Sequence, residues 1–202
     1  MKTAYDQFND NILRVKQLGY LYRVLRTQTT AALDLNDILR SELVLSVSAF
    51  DYFIHEIVRM GMLNCYVGKR QKTKAFLSFQ CKIDSILEYS KNPQTLDWLD
   101  NEIRTHHGWK SFEHPDNIAA AISLISDVKL WEQIGFSLGD SPTNLREKLR
   151  LIVDRRNKIA HEADIDPTSP PNRWPIDEKM VDESIDYIEK LANAIFNVVT
   201  PT

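Results

Sequence analysis

Apolar residues recur at steps of three and four along both ends of the chain, which is the spacing of one face of an α-helix. Between residues 5 and 25 they are Phe8, Ile12, Leu13, Val15, Leu18, Leu21, Tyr22 and Leu25. A second, more apolar run opens near Asp34 or Asn36, either of which can cap a helix, and continues to about Tyr66. We therefore expect two long helices, the second of them central to the core.

The middle of the chain, residues 68–139, breaks this pattern into shorter pieces, which indicates small helices joined by turns. The predicted short helices span roughly residues 79–89, 96–106, 115–125 and 130–136. Asn92-Pro93 is the predicted turn between the first two, and Thr95 the predicted N-cap of the second. Gly108 should follow a last turn that contains His106 and His107.

The last third of the chain predicts two further helices with a loop between them. Ser141-Pro142 begins the first, whose apolar positions lie near one face: Leu145, Leu149, Ile152, Val153 and Ala160. Residues 164–175 are rich in proline and cannot be helical, and residues 177–199 form an amphipathic closing helix. The pattern thus predicts an all-α bundle of one domain, residues 1–202, with 68–139 as an insertion of short helices.

Composition limits the class of protein. A length of 202 residues with 43% hydrophobic residues suits one continuous core, and the net charge of −3 argues against coating nucleic acid through bulk positive charge. Cys65 and Cys81 form no C-x-x-C pair, so neither a disulfide framework nor a zinc site is indicated. Residues 1–11 carry acids and no apolar signal core, and no apolar stretch approaches a membrane span. We expect a cytoplasmic protein without a membrane segment.

Several catalytic signatures are incomplete. Gly68-Lys69-Arg70 lacks the rest of a phosphate-binding loop. His55-Glu56 begins like a zinc-protease helix, but Arg59 stands where the second histidine is required. His106 and His107 are adjacent and point about 100° apart on a helix, so we interpret them as cations that favour a helix C-terminus. The four tryptophans are scattered, which favours packing over a base-stacking platform: Trp98, Trp109, Trp131 and Trp174.

The stretch from Arg156 to His161 is the best candidate site. It joins a permanently charged guanidinium to the side chain that exchanges protons near neutral pH, a combination suited to phosphodiester chemistry. Residues 145–161 hold six basic residues against two acids, in a chain that is acidic overall. The alternative is a solvated helix face with a histidine at its end. Spacing alone does not exclude it.

The geometry of Arg156 and His161 poses a difficulty. Residues five apart lie about 140° around an ideal helix and about 7.5 Å along it, so the two side chains do not stack. They could converge on one phosphate if the last helical turn loosens, or if a second copy of the chain completes the cleft.

Arg156-Asn157, three further residues and His161 resemble the R-x4-H signature of HEPN domains. Together with the long apolar helix around residues 40–53, they resemble the RiboL-PSP HEPN subgroup over residues 34–199. The resemblance implies a homodimer with a composite cleft, acting as an endoribonuclease without metal or other cofactor. Relatives belong to toxin–antitoxin, antiphage and RNA-processing systems, so a cognate antitoxin is a possible partner. The products would be a 2′,3′-cyclic phosphate and a 5′-hydroxyl.

The resemblance also assigns roles. His161 would transfer protons, Arg156 would hold the phosphate, and Asn157 would orient the site. An acidic residue from the long helix often assists, and Asp51 is the candidate, although a purely structural pairing of this acid is an equal alternative. Three cations could track the RNA backbone, or be ordinary surface charges: Arg155, Lys158 and Arg173. Asp154 and Glu162 could instead pair with and restrain the arginines.

Two functions remain open from the sequence. The first is the ribonuclease just described. The second is a non-catalytic, HEPN-like dimeric module that binds RNA, a nucleotide or another protein and uses the same residues to hold the helix end together.

Overall fold

The computed structural model describes residues 1–30, 32–91 and 95–200. Over these residues the chain forms nine α-helices and no strand, apart from a single bridge between Ile165 and Arg173. The helices are α1 (Lys2–Gln28), α2 (Asn36–Tyr66), α3 (Lys74–Leu77), α4 (Ile83–Lys91), α5 (Asp97–His107), α6 (Pro115–Ser123), α7 (Leu130–Leu138), α8 (Pro142–Glu162) and α9 (Glu178–Val199). The predicted all-α class is confirmed.

The long helix α2 is the centre of the bundle, with α1, α8 and α9 packed around it. Its apolar face is fully buried, and Phe50 and Phe53 have no exposed surface. Phe8 of α1 meets Phe53 at a centroid distance of 5.3 Å. Buried aromatic side chains of this size dominate the stabilisation of a core, so the α1–α2 contact anchors the fold.

The segment between α2 and α8 departs in detail from the sequence prediction. Thr73 caps an additional short helix, α3, by accepting a hydrogen bond from the Phe76 backbone N–H at 3.0 Å. The next helix, α4, begins at Ile83, later than the predicted start at residue 79. The predicted N-cap Thr95 is wrong, because α5 is preceded by Leu96. The predicted turn Asn92-Pro93 lies outside the described residues.

This segment also contributes to the common core. Ile103 of α5, Ile118 of α6 and Ile134 of α7 are buried in the same cluster as the long helices. Contacts run from α5 and α6 to α2, and from α7 to α8 and α9. The loop between α5 and α6 is thereby held against α2, close to the end of α8.

Local capping fixes both ends of α8. Ser141 accepts a hydrogen bond from the Asn144 backbone N–H at 3.1 Å, and Pro142 occupies the first turn, as predicted. At the other end Ala163 and Asp164 adopt left-handed conformations with φ of 53° and 60°, and the Asp164 N–H bonds to the Lys158 carbonyl at 3.0 Å. The helix therefore stops within two residues of His161.

Candidate active site

A cleft of about 510 Å³ lies where the end of α8 faces α2 and the loop between α5 and α6. Four residues predicted from the sequence line it: Asp51, Arg156, Asn157 and His161. The remaining wall is formed by residues 108–111 and Glu113. We call this space the R-x4-H cleft.

Arg156 and His161 line the same cleft within one chain. The backbone of α8 stays helical through Glu162, so the loosened last turn, one of the two alternatives considered from the sequence, is not observed. Arg156 is largely buried, whereas His161 is exposed at the final turn. The cleft therefore combines a restrained guanidinium with a solvent-accessible imidazole.

Two neighbours hold the guanidinium of Arg156. Its Nη1 donates to Asn157 Oδ1 at 2.9 Å, and its Nη2 is paired with the carboxylate of Glu113. The Nε atom is buried and has no hydrogen-bond partner among the described residues. Asn157 thus orients Arg156 directly, while Glu113 occupies part of the face that an anion would use.

Glu113 is the site residue that sequence reasoning missed. It lies in the loop before α6, 43 positions from Arg156, and no spacing rule connects the two. Its side chain is only 8% exposed. Burial raises the pKa of the Glu113 carboxyl, although the Arg156 guanidinium acts in the opposite direction. A buried acid against an arginine at a cleft is the kind of perturbed pair that marks functional sites.

Asp51 lines the cleft and also serves the structure. Its Oδ1 accepts a hydrogen bond from the Phe112 backbone N–H, and its Oδ2 lies 3.7 Å from His55 Nε2. His55 Nε2 in turn lies 3.1 Å from the Lys110 carbonyl oxygen. Asp51 and His55 together anchor the 108–113 loop to α2, so the structural pairing considered for Asp51 is present.

The three cations considered for RNA contact do not line the cleft. Arg155 points to the other side of α8, where its Nη2 donates to Asp164 Oδ2 at 2.9 Å and to the Pro175 carbonyl at 3.1 Å. Lys158 Nζ lies 5.1 Å from the centre of the Trp174 ring, and Arg173 pairs with Asp37.

The acidic partners of the two neighbouring arginines come from other parts of the fold. Asp164 pairs with Arg155 and Glu113 with Arg156, in place of the predicted sequence neighbours Asp154 and Glu162. Helix geometry explains this result, because adjacent residues point about 100° apart and so meet different neighbours.

Two sequence interpretations of the middle segment are wrong. Trp109 does not pack in the core, because 78% of its surface is exposed at the edge of the cleft. His107 is not a cation at the helix end, since it is 4% exposed and burial lowers its pKa to about 4. Positive charge on the nearby Lys110 acts in the same direction. The exposed indole of Trp109 belongs to the wall of the cleft, whereas the buried His107 does not.

The described residues contain no group of three or more His, Cys, Asp or Glu side chains arranged to hold a metal ion. None of the helices in these ranges is long and apolar enough to cross a bilayer.

The fold and the site together define a class: an all-α bundle with an R-x4-H motif at the end of a late helix. Comparison with protein families gives the family. The family model described as RiboL-PSP-HEPN matches residues 9–200, and the chain belongs to this family. Searches of curated proteins and of solved structures each returned no match. HEPN domains commonly act as dimers and bind RNA.

Proposed function

We propose that this protein is a metal-independent endoribonuclease whose catalytic residues are Arg156, Asn157 and His161. One observation carries the proposal: these three side chains and Asp51 line a single open cleft. No RNA contact is assigned to Arg155, whose guanidinium is engaged with Asp164 and backbone carbonyls.

The proposed reaction needs no group besides those of the protein dimer and its RNA. A base removes the proton of the 2′-hydroxyl, and the 2′-oxygen forms a bond to the adjacent phosphorus while the bond from phosphorus to the 5′-oxygen breaks. The departing 5′-oxygen accepts a proton, which leaves a 2′,3′-cyclic phosphate and a 5′-hydroxyl. His161 suits either proton transfer because imidazole exchanges protons near neutral pH.

Arg156 is placed to stabilise the negative charge that builds on the phosphate oxygens. Guanidinium donors fixed in advance are effective for this purpose because they need not reorganise during the reaction. Asn157 fixes one nitrogen of the guanidinium at 2.9 Å. To bind Arg156 through two nitrogens, the phosphate has to displace the Glu113 carboxylate or share the guanidinium with it.

A second copy of the chain would supply the second proton-transfer group. One chain brings one histidine of the motif, whereas the reaction needs a base and an acid. His161 is exposed at the rim of its cleft, where a partner can approach. We propose a homodimer with two motifs facing one another. A light-scattering mass of a single chain at micromolar concentration would contradict this arrangement.

The direct test is cleavage of single-stranded RNA in chelator, with wild type, His161→Ala and Arg156→Ala. We expect wild type to release 2′,3′-cyclic phosphate ends and each variant to lose about 100-fold or more in rate. Arg150→Ala is the matched control, since Arg150 lies on the same helix but pairs with Asp116 outside the cleft. Intact RNA with wild type, or equal cleavage by His161→Ala, would refute the proposal.

The alternative is a dimeric module that binds RNA or a nucleotide without cutting it. The pairing of Arg156 with Glu113 favours this reading, because the phosphate-binding face of the arginine is already partly occupied. Such a module would bind RNA in the same assay and leave it intact.

In either case we propose a toxin–antitoxin, antiphage or stress-response setting. If the protein is a toxin, its expression should arrest growth and His161→Ala should relieve the arrest.

A further inference from the structure

A second cavity, of about 600 Å³, adjoins the R-x4-H cleft. The two spaces share three consecutive residues of one loop, Trp109, Lys110 and Ser111. We call the second space the aromatic cavity, after the rings that line it: Phe79, His106, His107, Trp109 and Phe112. Its volume lies within the range of small-molecule sites, about 300–1,000 Å³.

The rings of the aromatic cavity form a continuous wall. Phe79 lies 5.0 Å from His106, and His107 lies 5.3 Å from Phe112, measured between ring centroids. Trp109 stands at the junction with the cleft, with 78% of its surface exposed. The Lys110 ammonium lies 5.4 Å from the centre of the indole ring. Because this flexible side chain can move aside and the core does not cover the indole, the ring can take a flat partner.

The wall also carries polar atoms without a partner. The Nδ1 atoms of His106 and His107 are buried and make no hydrogen bond within the described residues. His107 is itself only 4% exposed. Both atoms are enclosed by protein and do not face the cavity, whose polar lining comes instead from Lys110, Ser111 and Asn117. A planar heterocycle with donors and acceptors on its edge is the ligand class that matches aromatic rings beside such polar side chains.

The loop that carries Trp109 is fixed before any ligand binds. The Lys110 N–H bonds to the His107 carbonyl at 2.8 Å, and the Asn117 side chain donates to the Ser111 carbonyl at 2.9 Å. Asp51 holds the Phe112 N–H from the other side. Fixing the backbone of this loop in advance lowers the entropic cost of stacking a base on the indole that it carries.

We propose that the aromatic cavity is a nucleobase subsite that takes the unpaired base next to the phosphate bound at Arg156, with Trp109 as its stacking face. The inference rests on the proposed function only in placing a phosphate in the R-x4-H cleft. It makes Trp109 a determinant of substrate binding and restricts the substrate to a strand whose base can leave the duplex stack.

Binding of an uncleavable RNA tests the subsite apart from cleavage. A fluorescently labelled, single-stranded 2′-fluoro oligonucleotide lacks the attacking hydroxyl, and its affinity can be measured by anisotropy in chelator. We expect Trp109→Ala to weaken binding roughly 5- to 100-fold, the range of a lost base stack, and Trp109→Phe to recover most of the loss. Phe136→Ala is the matched control: Phe136 is 90% exposed on α7 and lines neither space, so the affinity should change less than about twofold.

Abasic substitutions identify the occupant. Moving one abasic residue along the oligonucleotide should weaken binding to wild type at one position, and that penalty should vanish in Trp109→Ala. Equal affinity at every abasic position, unchanged affinity in Trp109→Ala, or no binding by wild type would each overturn the proposal. If RNA is never cleaved but the abasic penalty persists, the subsite proposal holds and the ribonuclease proposal is refuted. If RNA is cleaved but no abasic position weakens binding, the ribonuclease proposal holds and the subsite proposal is refuted.

Discussion

Arg155 and Arg156 are neighbours on α8, yet they belong to two different regions of the molecule. Arg155 joins Arg40 around the buried carboxylate of Asp164, which is 1% exposed. Arg40 Nε donates to Asp164 Oδ2 at 2.7 Å, and both arginines also donate to the Trp174 carbonyl. Arg156 faces the open cleft, where one carboxylate and one amide hold it. The first region is centred on a buried acid that two arginines share, whereas the second opens into the R-x4-H cleft.

The difference separates a structural use of arginine from a functional one. In the Asp164 cluster two guanidiniums converge on one buried carboxylate, and both also donate to backbone carbonyls. In the R-x4-H cleft, burial raises the pKa of the Glu113 carboxyl beside Arg156. Groups with shifted pKa values around an open space are typical of working sites.

The largest expected effect is on stability. Replacing Asp164 by Asn removes the buried carboxylate that Arg40 and Arg155 share, while Arg40 keeps its pair with the exposed Asp37. Breaking a buried ion pair costs about 3–5 kcal/mol. Urea unfolding followed by circular dichroism measures the loss. Asp116→Asn is the matched control, because Asp116 also faces two arginines but is 59% exposed, so its loss should stay below about 1 kcal/mol. Equal losses in the two variants would remove the distinction between the clusters.

The second effect separates the neighbouring arginines. Arg156→Lys keeps the charge but removes the fork that binds a phosphate, so we expect cleavage to fall about 100-fold with the free energy of unfolding changed by about 1 kcal/mol or less. Arg155→Lys should show the reverse, with a clear loss of stability and activity per folded molecule retained. Both variants need a rate measurement and an unfolding curve. Identical profiles would show that the two side chains share one role.

The third effect is a pH dependence of stability from His107. Because its folded pKa of about 4 lies below the usual 6.5, the neutral form is favoured in the fold. Its contribution to stability is therefore present above pH 6.5 and is lost as the pH falls toward 4. Between pH 7 and pH 5 wild type should lose about 1–2 kcal/mol more than His107→Phe. A constant difference between the two proteins over this range would contradict the assignment.

The smallest effect concerns substrate binding. Glu113→Gln removes a negative charge from the cleft but keeps a side chain of the same shape beside Arg156. We expect KM for RNA to fall by a few fold, corresponding to about 1 kcal/mol or less of relieved repulsion, with the gain reduced at high salt. Glu147→Gln on the exposed face of α8 serves as the charge-matched control. A higher KM in Glu113→Gln would instead make Glu113 a positioning residue for Arg156.

The sequence by itself determined the helical class, the long helices and the motif that ends α8. These features depend on apolar periodicity, capping residues and proline. Such signals act over a few residues and can therefore be recognised in a single sequence. The same local rules misplaced the start of α4 and the cap of α5. Short helices are stabilised mainly by packing against other parts of the fold, and this packing decides where they begin and end. The bounds of α8 were predicted well because Ser141 caps it locally.

Only the tertiary structure decided how the charges are used. Glu113 reaches Arg156 across 43 positions and Asp164 reaches Arg40 across 124, separations at which no sequence pattern indicates a contact. Burial then sets the chemistry: it leaves His107 neutral, although its position at a helix end suggested a cation, while Trp109 is exposed despite its apolar type. Desolvation and pairing depend on what surrounds a side chain in space, and packing of distant segments creates those surroundings.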